Sequence, residues 1–203
     1  MHTDTPSVIA KVWLIGRAYA AAIERRRNKS NQNDDFYVQV VGPRIIRSEI
    51  DSWIKACQQW NGPSNDSLAT LLEVHNRTTQ LFRDISDLEK RSLASKYLHF
   101  HVPNLFYIYD ARAVAALREL SSVVGRAGRA GRAGLQADNE YRKFAEKCLA
   151  LQQRIESALG IRLTPREIDN LLLFVHAVKQ ANPAIKRDVP TAAPRSLLER
   201  FAS

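Results

Sequence analysis

Apolar residues return at three- and four-residue intervals in one window of this chain after another, a spacing that favours helices. Val8, Val12, Ile15, Tyr19 and Ile23 predict a first helix over about Ser7 to Arg27, with Arg25, Arg26 and Arg27 suited to its negative C-terminal end. Ile46, Ile50, Trp53, Ile54 and Cys57 predict a second over Pro43 to Trp60, closed by the turn residues of "NGPSND". Leu68, Leu71, Leu72, His75, Thr79 and Phe82 carry a third from Asp66 or Ser67 to about Ile85, and "SD" offers a cap for a fourth over Leu88 to His101. Asp110 is placed to cap a fifth helix through "ARAVAALRELSSVV". Two long helices follow, Asp138 to Leu159 and Thr164 to Gln180. The second opens with "TPRE", which puts Thr at the cap, Pro in the first turn and Glu at the third position. "FYVQVVGP" reads as a short extended piece or as the approach to the second helix. A proline-rich tail, "NPAIKRDVPTAAPRS", leads to a last short helix. The expectation is an all-α, compact multi-helix bundle: one domain over residues 1–203, or two lobes sharing one core.

Charge narrows the function classes. Thirty Lys and Arg face twenty-one Asp and Glu, a formal excess of +9 that attracts polyanions such as nucleic acid or an anionic surface. No apolar run approaches the about 20 residues a membrane span needs, and the N-terminus lacks a basic, then apolar, signal pattern, so a cytoplasmic protein is expected. Cys57 and Cys148 stand alone without metal or disulfide spacing and read as buried thiols.

"GRAGRAGRAG", residues 125–134, has glycine at every third position, which opposes both helix and packed strand. It reads as a flexible basic loop whose Arg126, Arg129 and Arg132 either follow a phosphate backbone or do nothing specific.

The chemistry-bearing stretch is "SLASKYLHFHVPNLFYIYDARA", residues 92–113. On a helix, Ser92, Lys96 and His99 share one face, away from that of Leu93, Ala94, Tyr97 and Leu98. His99 and His101 form an H-x-H pair whose rings would diverge by about 200° on a helix, and no third ligand has recognisable spacing; no metal or other cofactor is expected. His99 is instead placed near a functional groove. Asp110 by itself is a helix N-cap. Its setting adds a second reading: a basic helix face, a proline break, an aromatic turn, then a carboxylate at a helix start.

That order resembles the second half of the helix-hairpin-helix motif of the DNA glycosylase superfamily, over about residues 84–113. In many members of that family the helix after a hairpin carries a lysine, a Pro/Val-rich connector follows, and an aspartate opens the next helix. Here these are "EKRSLASKYLHFH", "VPNLFYIY" and Asp110. The hairpin itself, "ISDLEKRS", contains no glycine, and Arg91 lies nearer than Lys96 to the family's usual lysine spacing.

The resemblance implies a base-excision chemistry on duplex DNA. Asp110 would stabilise the positive charge developing on the sugar or activate water, and Lys96 would be an amine nucleophile. Arg91, His99 and Arg112 would contact nucleic acid, and Tyr97, Phe100 and Tyr107 would stack on the extruded base. Two other readings stay open: a helical DNA-binding module without chemistry, and a protein-interaction or regulatory component. Arg17, in an N-terminal helix whose Gly16 and alanines permit close packing, would face Asp110.

Overall fold

The computed structural model describes residues 2–25, 35–120 and 138–181. Among these there are helices and no strand. In chain order they are α1 (Thr5–Ala18), a π-helical turn (Phe36–Val41), α2 (Gly42–Ile46), α3 (Ile50–Cys57), α4 (Leu68–Ser86), α5 (Arg91–His101), α6 (Ala111–Glu119), α7 (Asn139–Leu159) and α8 (Pro165–Ala181). No helix among the described residues is long and apolar enough to cross a membrane. The Gly-Arg-Ala segment with Arg126, Arg129 and Arg132, and the final short helix expected from the tail, lie outside the described residues.

The apolar stripes face one another. α4 packs against α3, α5 and α7, α1 against α2 and α5, and α6 lies along α8. Tyr97, Tyr107, Tyr141, Phe82 and Phe106 are the largest fully buried side chains of this core, and both cysteine thiols are buried in it. Burial pushes the Cys57 thiol up to about 12, as expected where a thiolate would lose its hydration.

Several element boundaries differ from expectation, each for a local reason. α1 stops at Ala18, well short of Arg27. Ala20 sits at φ 51°, its N–H bonded to the Arg17 carbonyl at 3.3 Å and that of Ala21 to the Gly16 carbonyl at 2.8 Å. This is a Schellman ending built on alanine instead of glycine. The returning chain brings the Ala22 Cα within 3.2 Å of where a Cβ on Gly16 would lie. Residues 19–25 then run without regular structure, and Lys90 fastens them by donating to the Ala22 and Arg25 carbonyls at 3.1 and 2.5 Å.

"FYVQVV" is neither extended nor α-helical but a π turn that leads directly into α2. The expected helix over Pro43 to Trp60 is two pieces broken at Arg47–Glu49, where the Ser48 hydroxyl bonds back to the Ile45 carbonyl at 2.6 Å. Asp87 does not cap the next helix. It closes α4 at φ 56°, and α5 begins later, after Lys90 and without a side-chain cap. Local cap chemistry does place α6, α7 and α8. Asp110 accepts from the Arg112 N–H, Asp138 from those of Glu140 and Tyr141, and Thr164 and Glu167 form a reciprocal capping box.

Candidate functional site

The polar face of α5 lies against the extended connector that follows it. His99 Nδ1–H donates to the Phe106 carbonyl at 2.8 Å, and the Ser92 hydroxyl donates to the Tyr109 carbonyl at 3.1 Å. The Tyr109 N–H donates to the Ser95 hydroxyl at 2.9 Å. From the other side, the Tyr141 hydroxyl donates to the Tyr107 carbonyl at 3.0 Å. A segment with no helix or sheet partner thus has its backbone groups met by side chains, as buried backbone requires. Ser92, Ser95, Lys96 and His99 lie on one helix stripe, and the connector runs back along it, Phe106 at His99 and Tyr109 at Ser95 and Ser92.

This clamp sets Asp110. Its backbone is extended, at φ −138° and ψ 147°, and one carboxylate oxygen accepts from the Arg112 N–H at 2.9 Å and Arg112 Nε at 3.2 Å. The other lies 3.5 Å from Lys96 Nζ. Lys96 is 4% exposed and also donates to the Ser92 hydroxyl at 2.8 Å and the Tyr19 carbonyl at 3.3 Å. Burial lowers the Lys96 ammonium, and the Asp110 charge only partly opposes this. Partial burial raises the Asp110 carboxyl, but the Arg112 N–H and guanidinium and the Lys96 charge outweigh it and hold the group below the usual carboxylate range.

Asp169 of α8 is coupled to this centre by charge, raising the Lys96 ammonium and being raised by the Asp110 charge. It is 4% exposed; one oxygen accepts from Arg166 Nη1 at 2.9 Å and the other is buried without a partner. Burial raises its carboxyl, Arg166 opposes, the Asp110 charge raises it further, and the net direction is up. The two carboxyls are thus shifted in opposite directions, Asp110 down by Arg112 and Lys96, and Asp169 up by burial. Sequence reading missed Asp169. Its signal was an acid at a position shared with Pro165, Ile168 and Leu172, the buried stripe of α8.

The other expected site residues are dispersed. Arg91 pairs with Asp138 and with Glu89, the latter at 3.1 Å, and lies over the Tyr109 ring at 5.6 Å. Arg112 is exposed beside Asp110. Tyr97 and Tyr107 are 0% and 1% exposed, so neither forms a stacking wall: Tyr97 packs edge-on against Phe82, and the Tyr107 hydroxyl donates to Gln152 at 2.5 Å. Phe100 is exposed. His99 is buried under the connector, while His101 Nδ1–H donates to the Tyr97 carbonyl at 2.8 Å, so the two rings serve different carbonyls. Arg17 pairs with Glu24 at 3.0 Å and lies over Trp13, away from the expected Asp110 contact.

No protein-family model, curated protein or solved structure matches the chain. Its functional reading therefore stands on this geometry and on the residues themselves.

Proposed function

We propose that the chain is a basic, cytoplasmic DNA-binding protein resembling a base-excision N-glycosylase, with Asp110 as the acting carboxylate. The observation that carries the reading is the 3.5 Å approach of Lys96 Nζ to Asp110 at a helix start, the two residue types the glycosylase resemblance pairs. The enzyme would extrude a damaged or mispaired nucleotide, at a cost of a few kcal/mol that the lesion itself lowers. The Asp110 carboxylate, about one-fifth exposed, would stabilise positive charge on the sugar as the N-glycosidic bond breaks. Lys96 is too enclosed to reach a sugar carbon in this arrangement, so its part is to fix and charge-balance Asp110. Hydrolysis without a Schiff base is the chemistry this favours. Asp169, buried and paired with Arg166, adds a negative charge that supports the Lys96 ammonium.

A second reading, a DNA-binding module without chemistry, is favoured by one observation: Ser92, Ser95 and His99 are engaged in holding the connector, and Lys96 in holding the Tyr19 carbonyl. Asp110→Asn separates the two, because asparagine keeps the cap and removes the charge. Duplexes carrying a panel of lesions would be assayed for base release and for salt-dependent binding. Release by wild type, reduced at least about a hundredfold in the variant with binding intact, supports the glycosylase. Binding without release from either protein supports the module, and absence of both refutes the DNA reading.

A further inference from the structure

A groove of about 230 Å³ opens between α6 and α7. Its floor is apolar: Val114 and Leu117 from α6, with Phe144 from α7 set edge-on to the Tyr109 ring at 5.2 Å. Its rim is cationic. Arg118, Lys143 and Lys147 line it against the single carboxylate of Glu140, and that carboxylate is 3.4 Å from Lys143. Among the described residues, Arg118, Lys147 and the Tyr109 hydroxyl have no hydrogen-bond or ion-pair partner. The Val114 N–H bonds to the Asp110 carbonyl at 2.9 Å, so the groove begins one helical turn from the candidate carboxylate.

An adjoining cleft of about 340 Å³ is larger, but its charges are Arg83 and Arg91 against Glu89, Asp138 and Glu140, an acidic balance that repels phosphate. The α6–α7 groove has the opposite balance, three cations to one anion. Its volume is below the about 300–1,000 Å³ typical of clefts that enclose a whole small ligand. It suits one unit of a longer ligand that continues outside: a flat ring over an aromatic floor, with a phosphate at the rim. Single-strand binders combine these parts, aromatic side chains under bases and cations along the backbone.

We propose that the α6–α7 groove holds one unpaired nucleotide of a DNA strand, its base against Tyr109, which Phe144 backs from the core, and its flanking phosphates on Arg118 and Lys147. The proposal rests on the nucleic-acid reading above and names where an extruded or single-stranded nucleotide lies. An acidic peptide with an aromatic side chain has comparable chemistry and is the competing occupant.

The test is fluorescence anisotropy with full-length protein and three labelled probes: oligothymidylate, a duplex of equal length, and a peptide alternating Glu and Phe. Arg118→Gln with Lys147→Gln removes two unpartnered surface charges and leaves the fold intact; Tyr109→Leu removes the ring, and Tyr109→Phe restores it. Wild type is expected to bind oligothymidylate, and the double variant to bind more weakly with a salt slope lower by about 1.4, at about 0.7 per phosphate contact. Tyr109→Leu is expected to lose about 5- to 150-fold, the loss typical of one base–aromatic stack, with Tyr109→Phe near wild type. Equal binding by all variants, or tighter binding of the peptide than of the oligonucleotide, overturns the proposal. If duplex binding and base release persist while the groove variants change nothing, the groove assignment fails alone. If no nucleic acid binds, the underlying reading fails with it.

Discussion

His75 makes this fold sensitive to acid. It is 0% exposed on α4, its ring stacked on Tyr141 at 3.4 Å and 7°. Nε2–H donates to the Arg91 carbonyl at 3.2 Å, while Nδ1 is buried without a partner. Burial pushes the imidazole down to about 3, with only partial opposition from the Arg91 carbonyl. His101, with Nε2 likewise buried and unpartnered, is pushed down by burial to about 4. Both titrate near 6.5 once the chain unfolds. Their neutral forms therefore support folding fully above about pH 6.5, and the unfolded state gains protons first as pH falls toward the folded values. Between about pH 7 and pH 5 each histidine costs about 2 kcal/mol, at a slope approaching about 1.4 kcal/mol per pH unit. A loss of about 4 kcal/mol is a large share of the about 5–15 kcal/mol typical of a domain. His75→Phe keeps a ring on Tyr141 and removes the titrating site. It leaves the Arg91 carbonyl without its donor, which lowers stability at every pH by about 1–3 kcal/mol. Urea unfolding followed by circular dichroism across this range gives stability against pH for both proteins. The variant's line should be shallower by about 1.2 kcal/mol per unit between about pH 6 and pH 5. Parallel lines would refute the reasoning, because His75 would then titrate alike folded and unfolded.

Ala20→Gly relieves a left-handed alanine and should raise stability by up to about 1 kcal/mol net of glycine's unfolded-state entropy, read as a higher urea midpoint; a lower one contradicts the Schellman ending. Asp110→Ala removes the α6 cap and strands a buried ammonium, a loss of about 3 kcal/mol, whereas Lys96→Met leaves Asp110 held by Arg112, loses the donor to the Tyr19 carbonyl and costs about 1–2 kcal/mol. Thermal unfolding of the two variants should rank them in that order, and the reverse order would show that Lys96 supports more than Asp110.

What was legible in the sequence was local. Helical spacing gave the all-α class, and Asp110, Asp138 and Thr164 announced the starts of α6, α7 and α8, because a cap acts within one turn of chain. The end of α1 carried no such signal. Its positive φ falls on Ala20 where a glycine would have marked it, and what fixes the turn is the return of Ala22 onto Gly16. The aromatics of α5 and the connector were ambiguous for another reason: Tyr97 and Tyr107 suit a stacking surface and a core equally by type, and only packing shows that they are core. Lys96 and Asp110 were paired by resemblance from residues close in sequence. Asp169 acts on them by charge from α8, so only the tertiary fold reveals it, as it reveals that Ser92, Ser95 and His99 hold backbone.

The way residues 19–25 are tied down bears on how their sequence can drift. Lys90 and Lys96 seize this segment through the carbonyls of Tyr19, Ala22 and Arg25, and an ammonium group that grips a carbonyl is indifferent to the side chain beyond it. The exposed position at Arg25 is thus open to exchange with little effect on the fastening. Ile23, which is fully buried, and Ala20, with its left-handed backbone, are not. Constraint falls instead on the two distant lysines, so this segment can diverge in sequence while keeping its path, provided positions 90 and 96 remain donors.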